Sequence, residues 1–214
     1  MSENKFSWPL FEKVPVIGIV RNVSLEDVIE ILPAYVQAGL TTIEITMNTP
    51  GAEDIIRYAI QHYPEILNVG AGTVCTKADL NKALDAGAHF VVTPIVRRKI
   101  IVACVHKQIP VFPGAFSPTE IYKAWALGAS MVKVFPARTL GADFIKDVKA
   151  PLNQIKLMPT GGIDLDNIES FKKAGADGYG VGSPLFKKIL IKEKDWDGLK
   201  EHFRQFVDKV TIKA

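Results

Sequence analysis

Residues 37–46, Gln37-Ala38-Gly39-Leu40-Thr41-Thr42-Ile43-Glu44-Ile45-Thr46, join the end of a helix to the start of an apolar strand. The same kind of junction recurs at Gly87, Gly128 and Gly175. A glycine after the last helical turn adopts the left-handed conformation that ends a helix at little cost. The four glycines lie 48, 41 and 47 residues apart, which is long enough for one additional strand in each interval.

Those intervals do contain apolar segments that are typical of strands with both faces buried. The eight strands predicted in total are 14–20, 41–46, 67–74, 89–94, 109–115, 130–136, 155–162 and 177–183. Helical periodicity predicts helices at 25–39, 52–63, 77–87, 97–107, 118–128, 142–152, 165–175 and 197–210, with Pro33 expected to kink the first. This alternation predicts an α/β fold, a single (β/α)8 TIM barrel over residues 1–214, with an open doubly wound sheet as the alternative.

The composition is typical of a globular protein without a membrane span, with 48% hydrophobic and 23% charged residues. Lysines and arginines are scattered among acids, so the formal charge of +3 indicates solvated helix faces and no nucleic-acid partner. Cys75 and Cys104 are interpreted as small apolar residues in a strand and a helix. The first 13 residues lack the pattern of a secretion signal, which predicts a cytoplasmic location.

Polar residues and glycines are concentrated at the ends of the predicted strands. In a barrel of parallel strands the active site lies at the carboxyl ends of those strands. The candidate site residues are therefore Arg21, Glu44, Thr46, Asn48, Thr73, Pro94, Lys133, Phe135, Thr160, Gly161, Gly162, Gly182 and Ser183. Among them, Thr73 follows Gly70-Ala71-Gly72, where we expect the substrate to lie close to the backbone and to meet the Thr73 hydroxyl.

Lys133 lies within the apolar segment Met131-Val132-Lys133-Val134-Phe135-Pro136. Burial of an ammonium is unfavourable and lowers its pKa, and a neutral amine can attack a ketone to form an iminium ion. The alternative for the same residue is a lysine whose stem is buried while its charge reaches water. The strand by itself does not decide between these two roles.

Glu44 is a second charged residue within an apolar strand, and it shares a face with Thr42, Thr46 and Asn48. A carboxylate near an amine can transfer protons during the formation and cleavage of an iminium intermediate. The alternative is a structural ion pair between Glu44 and Lys133, but isolated buried pairs contribute little stability. A catalytic pair is therefore favoured.

The last two strands end in Thr160-Gly161-Gly162 and Gly182-Ser183, whose backbone amides predict a phosphate-binding site. None of the four histidines lies at the carboxyl end of a predicted strand. A metal-dependent aldolase or epimerase requires a cluster of such ligands facing the substrate. We therefore expect no metal and no other cofactor.

In combination and order, these segments resemble the 2-keto-3-deoxy-6-phosphogluconate (KDPG) aldolases and their 4-hydroxy-2-oxoglutarate (KHG) aldolase relatives. The similarity extends from Val14 to about Ser183 and rests on 15–17, 44–46, 70–74, 93–94, 133–137, 159–163 and 182–183. The resemblance implies that Lys133 forms a Schiff base and that Glu44 is the general acid and base. It also implies phosphate contacts at Gly161, Gly162 and Ser183, and a homotrimer.

One position departs from the family pattern. Some members carry an arginine four residues after the catalytic glutamate, where it binds the substrate carboxylate, and this chain has Asn48 there. Other members, including the phosphogalactonate aldolases, have an arginine after the first strand instead, which corresponds to Arg21. We therefore assign the carboxylate to Arg21. Thr160 resembles the gluconate-type members, whereas Asn48 favours the galactonate type.

The predicted function is the metal-independent, class I retro-aldol cleavage of KDPG to pyruvate and glyceraldehyde 3-phosphate. Cleavage of KHG to pyruvate and glyoxylate is a second expected activity. The alternatives are the same chemistry on the galactonate epimer and a non-catalytic phosphosugar-binding barrel. The expected partners are the phosphorylated sugar acid, pyruvate and the other copies of a homotrimer, with neither nucleic acid nor membrane.

Overall fold

The structure is a computed structural model that describes residues 6–211. Residues 1–5 and 212–214 of the predicted domain 1–214 lie outside the described residues. The strands are β1 Val16–Val20, β2 Thr42–Thr46, β3 Asn68–Gly72, β4 Phe90–Thr93, β5 Val111–Ala115, β6 Val132–Val134, β7 Leu157–Pro159 and β8 Tyr179–Val181. They form one sheet in the order β7-β6-β5-β4-β3-β2-β1-β8, and each pairs in parallel with its neighbour.

The sheet closes on itself. β1 pairs with both β2 and β8, and a parallel bridge between Thr160 and Gly180 joins the end of β7 to β8. Position 180 has to be glycine for this contact, because a Cβ atom there would overlap the Thr160 side chain. The predicted (β/α)8 barrel is confirmed, and the alternative of an open sheet is wrong.

The described residues contain ten helices, two more than were predicted. The eight predicted helices are α2 Leu25–Gln37, α3 Ala52–His62, α4 Lys77–Asp85, α5 Arg98–His106, α6 Pro118–Ala126, α7 Ala137–Lys149, α8 Ile168–Lys173 and α10 Trp196–Val210. The additional helices are α1 Trp8–Lys13, before β1, and α9 Lys188–Lys192, after β8. Both are too short to show the periodic apolar pattern from which helices are predicted.

The local signals at the helix ends are largely confirmed. Gly39, Gly87, Gly128 and Gly175 have φ angles of 96°, 92°, 95° and 91°, so each ends its helix in the left-handed conformation. Pro33 does not end its helix, because α2 continues through this residue, and the expected kink there stays a prediction.

Two further expectations concern cysteines and membranes. Cys104 lies buried in α5 as predicted, whereas Cys75 follows β3 in the turn before α4 and is half-buried. In the part of the chain that the structure describes, no helix is long and apolar enough to cross a membrane.

An apolar cluster closes the amino-terminal end of the barrel. Phe6, Trp8 and Phe11, on and beside α1, pack against side chains of the barrel wall, and the rings of Phe6 and Phe90 lie 5.4 Å apart. The wall residues of this cluster are Ile17, Phe90, Val92, Phe112, Met131 and Met158. Because apolar side chains fill this end, the charged residues of the interior belong to the other end, where loops follow the strands.

Candidate active site

A cavity of about 650 Å³ opens at the carboxyl ends of the strands. Its volume is within the range of small-molecule binding sites, roughly 300 to 1,000 Å³. The predicted site residues that line it are Arg21, Lys133, Phe135, Thr160, Gly161, Gly162, Gly182 and Ser183. Lys133 on β6 and residues of the loops that follow β1, β6, β7 and β8 therefore meet at one site.

Lys133 and Glu44 reach the barrel interior from opposite sides. Lys133 lies on β6 and Glu44 on β2, and three strands separate these two in either direction around the barrel. Both side chains are buried, with 5% of Lys133 and 1% of Glu44 exposed. Their charges therefore interact across the interior rather than along one strand or between adjacent strands.

The two charged groups do not form a structural ion pair. No ion pair of 4.0 Å or less joins Lys133 to a carboxylate of the described residues. The Oε1 atom of Glu44 is buried and accepts no hydrogen bond from the described residues. A buried charge normally requires a direct partner, and its absence costs several kcal/mol. The arrangement therefore leaves both groups available to a bound molecule.

Burial also shifts the proton equilibria of both groups toward their neutral forms. It raises the pKa of the Glu44 carboxyl above 4.5, against the opposing positive charges of Lys133 and Arg21. It lowers the pKa of the Lys133 amine below 10.5; the negative charge of Glu44 opposes this shift, and Arg21 adds to it. A neutral amine facing a protonated carboxyl across the interior is the state in which a lysine can attack a carbonyl while an acid supplies a proton.

Phe135 forms one wall of the cavity beside the lysine. The Lys133 Nζ atom lies 5.1 Å from the centroid of the Phe135 ring, within the range of a cation–π contact. The ring is 37% exposed and faces the cavity, so it can also contact a bound ligand. The prediction of Phe135 at the site therefore has a geometric basis.

The glycines of β3 leave space for side chains of neighbouring strands. A Cβ atom at Gly72 would overlap the carboxylate of Glu44, and one at Gly70 would overlap the ring of Phe90. These positions therefore make room for neighbouring side chains of the protein, and the expected approach of substrate to this backbone stays a prediction. Thr73, which follows them, is half-buried and has a φ angle of 57°, unusual for a β-branched residue.

The turn after β1 is held in place by a residue that was not predicted. The backbone N–H of Asn22 donates to Thr49 Oγ1 at 3.0 Å, and the hydroxyls of Thr49 and Thr46 lie 3.0 Å apart. This link connects the Arg21 turn to β2, the strand that carries Glu44. The sequence places Thr49 three residues after Thr46, but it does not reveal the contact with Asn22, which lies 27 residues away.

Five predicted site residues lie outside the cavity lining: Glu44, which is buried in the barrel interior, and four predicted substrate-binding residues. Thr46 is fully buried beside Thr49, and Asn48 is exposed, whereas Thr73 and Pro94 are half-buried. Their contacts with substrate stay a prediction. Lining residues that sequence reasoning missed are Ile19, Asn22, Val23, Asp27, Pro184, Phe186, Lys188, Ile191, Lys192 and Lys194.

The loop after β7 is shaped by two consecutive glycines. Gly161 and Gly162 have φ angles of 90° and 82°, which other residues rarely adopt. The Gly162 carbonyl accepts a hydrogen bond from Asn167 Nδ2 at 2.7 Å, and the Gly161 carbonyl accepts one from the Arg138 backbone N–H at 2.9 Å. Both contacts fix the loop against the cavity.

Among residues 6–211, no group of three or more His, Cys, Asp or Glu side chains is arranged to hold a metal ion.

Fold and site together define a class of protein: (β/α)8 barrels with a buried lysine at a cavity formed by the carboxyl ends of the strands. The family model described as KDPG and KHG aldolase matches residues 10–202. The chain therefore belongs to the KDPG and KHG aldolase family, and the resemblance inferred from the sequence motifs is confirmed.

Several relatives are similar over most of their length. The 2-dehydro-3-deoxy-phosphogluconate aldolase of Haemophilus influenzae is 35% identical over 93% of this chain and 95% of its own. A probable 2-dehydro-3-deoxy-6-phosphogalactonate aldolase of Rhizobium meliloti is 34% identical over 81% of this chain and 82% of its own. The KDPG aldolase of Legionella pneumophila, solved with pyruvate captured as a covalent carbinolamine, is 28% identical, with a TM-score of 0.83 over 92% of this chain and 96% of its own. These relatives are aldolases, which are carbon–carbon lyases, and the predicted enzyme class is confirmed.

Proposed function

We propose that this chain cleaves KDPG to pyruvate and glyceraldehyde 3-phosphate through a Schiff base on Lys133. The observation that supports this most directly is the pair of buried, opposed groups, Lys133 and Glu44: no ion pair joins Lys133 to a carboxylate of the described residues, and Glu44 Oε1 accepts no hydrogen bond from them. Buried groups of this kind are more useful to a reaction than to stability. The matching relatives add the reaction class.

The first half of the reaction forms the covalent intermediate. The neutral Lys133 amine adds to the C2 ketone of the substrate to give a carbinolamine, and Glu44 supplies a proton to the oxygen that leaves as water. The resulting iminium carbon carries a positive charge near the Phe135 ring, which stabilises a nearby cation. Glu44 has then given up its proton, and its carboxylate can accept a proton in the next step.

The second half breaks the carbon–carbon bond. Glu44 removes the proton of the C4 hydroxyl, the electrons of the C3–C4 bond move to the iminium, and glyceraldehyde 3-phosphate leaves. The remaining enamine takes a proton at C3, and water releases pyruvate and the free amine. In this proposal Arg21 holds the substrate carboxylate, and Gly161, Gly162, Gly182 and Ser183 contact the phosphate.

One observation also supports the galactonate epimer as a substrate. Arg21 lines the cavity, whereas Asn48 is exposed and outside it, an arrangement that matches the resemblance to phosphogalactonate aldolases. The two epimers differ only in the configuration of a hydroxyl, so a ratio of their kcat/KM values measures the preference. We expect the gluconate epimer to be cleaved faster because of Thr160. A kcat/KM for the gluconate epimer that is lower than the value for the galactonate epimer would reverse the assignment.

The Schiff base is tested by reduction with borohydride in the presence of pyruvate. We expect a stable adduct on Lys133, located by mass spectrometry of the digested protein. Lys133→Ala should form none, while Lys123→Ala, which removes an exposed lysine on α6, should be labelled like the wild type. Equal labelling of Lys133→Ala would overturn the mechanism, and an unlabelled wild type would favour a non-catalytic phosphosugar-binding barrel.

We also propose that the chain forms a homotrimer. Three large apolar side chains on consecutive β/α units are exposed: Ile95 at 49%, Phe116 at 46% and Tyr122 at 55%. Exposed apolar groups of this kind are typical of protein interfaces. Light scattering of the wild type and of Tyr122→Glu tests the proposal, and a monomeric wild type would refute it. A cytoplasmic location stays a prediction.

A further inference from the structure

Three lysines that follow the last strand line the cavity: Lys188 and Lys192 on α9, and Lys194 just beyond it. They lie on the segment that follows Gly182 and Ser183, which also line the cavity. The segment therefore brings cationic side chains to the part of the cavity where we propose that phosphate binds.

These lysines are not neutralised by the protein. No ion pair within the described residues involves Lys188, Lys192, Lys194 or Arg21. Asp27 is the one acidic residue that lines the cavity within the described range, against five cationic residues. A cavity lined by an excess of one sign of charge attracts ligands of the opposite sign.

The backbone at Lys194 is also unusual. The Lys194 N–H donates to the Ile191 carbonyl and the Asp195 N–H to the Leu190 carbonyl, which is the hydrogen-bond pattern of a Schellman helix end. Glycine normally occupies the left-handed position of this motif, yet Lys194 is there, with a φ of 55°. A left-handed lysine costs conformational energy, and such positions are often retained for function.

Backbone amides contribute only partial charges to a phosphate site, whereas a bound phosphate monoester carries a charge of about −1.5 to −2 at pH 7. We propose that Lys188, Lys192 and Lys194 neutralise the substrate phosphate and thereby make the enzyme select phosphorylated substrates. This inference rests on the proposed function. To that function it adds the residues that recognise the phosphate end of the substrate, which lies away from Lys133.

The test compares two substrates that differ in the phosphate. KDPG carries it, whereas KHG ends in a carboxylate, which has a smaller charge and lies nearer the reacting carbons, so loss of phosphate neutralisation should lower kcat/KM much more for KDPG than for KHG. Replacing each lysine by glutamine should lower kcat/KM for KDPG by about 2- to 5-fold, as expected for one solvated charge pair, and the triple variant by about 10- to 100-fold. Turnover of KHG should change by less than about 2-fold.

Lys187→Gln is the matched control. Lys187 immediately precedes α9, is exposed and does not line the cavity, so the control removes the same charge from the same segment. It should lower kcat/KM for KDPG less than any of the three lining variants. A further variant, Lys194→Gly, removes the charge but suits the left-handed backbone, so it should reduce kcat/KM for KDPG without lowering Tm.

Direct binding of inorganic phosphate separates this inference from the proposed reaction. Titration calorimetry should show weaker phosphate binding to the triple variant than to the wild type, whether or not the protein has aldolase activity. Equal phosphate affinity of the two proteins would overturn the inference, as would an equal loss of KDPG and KHG turnover. If the wild type cleaves neither substrate but the affinity difference remains, the aldolase proposal fails and the phosphate site stands.

Discussion

Substitution of Gly72 by alanine tests whether the carboxylate position of Glu44 controls catalysis. The new Cβ atom would overlap Glu44 Oε1 and would lie 2.8 Å from its Cδ and 3.3 Å from its Cγ. Glu44 is 1% exposed, so its carboxylate cannot move into solvent to avoid the contact. We expect it to be displaced within the barrel, away from the position that serves Lys133.

The expected magnitudes follow from that displacement. A catalytic group misplaced by about 1 Å loses roughly 10²-fold in rate, so kcat should fall by about that factor while substrate affinity changes little. Overpacking of a filled interior costs about 1 to 3 kcal/mol, and the free energy of unfolding should fall accordingly. Pyruvate release in a coupled assay measures the first quantity, and urea unfolding measures the second.

A double-mutant cycle identifies the cause of the loss. In a Glu44→Ala background the carboxylate is absent, so Gly72→Ala should have little further effect on kcat and should destabilise the protein less. The reasoning would be refuted if Gly72→Ala kept the wild-type kcat, or if it lowered kcat equally with and without the Glu44 side chain.

Three other predictions follow from the site. Arg21→Ala should lower kcat/KM by about 10- to 150-fold through loss of a charge-assisted contact, and Asn48→Ala by much less; equal effects would place the carboxylate elsewhere. Thr49→Val removes the oxygen that accepts a hydrogen bond from the turn after β1, so KM should rise and the free energy of unfolding should fall by about 1 to 3 kcal/mol. An unchanged KM would make this contact purely structural. Replacing both buried charges, by Glu44→Gln with Lys133→Met, should abolish cleavage yet stabilise the fold by up to about 4 kcal/mol near neutral pH.

The pH dependence of that stabilisation has a definite sign. Because burial raises the pKa of Glu44 above 4.5, the cost of burying its carboxylate grows as the pH rises above 4.5 and is complete once the pH exceeds the shifted pKa. Because burial lowers the pKa of Lys133 below 10.5, protonation of Lys133 costs stability only as the pH falls below that value. The stability difference between double variant and wild type should therefore be largest between these limits and smaller at both extremes. A difference independent of pH would contradict the shifts.

The amino-acid sequence determined the number, order and approximate bounds of the strands and of the longer helices. These features depend on periodicity and on capping residues such as Gly39 and Gly175, which act within a few residues of their own position. The sequence also identified Lys133 and Glu44 as chemically unusual, because a charged residue within an apolar strand is visible without a structure.

Only the tertiary structure decided how those residues are arranged. Closure of the sheet is required for three of these arrangements. They are the opposition of Glu44 and Lys133 across the barrel, the space that Gly72 leaves for the Glu44 carboxylate, and the contact between Asn22 and Thr49. The same is true of Lys194, which enters the cavity because a short helix folds back after β8. Contacts between distant segments depend on strand register and barrel closure, which no local pattern of residues specifies.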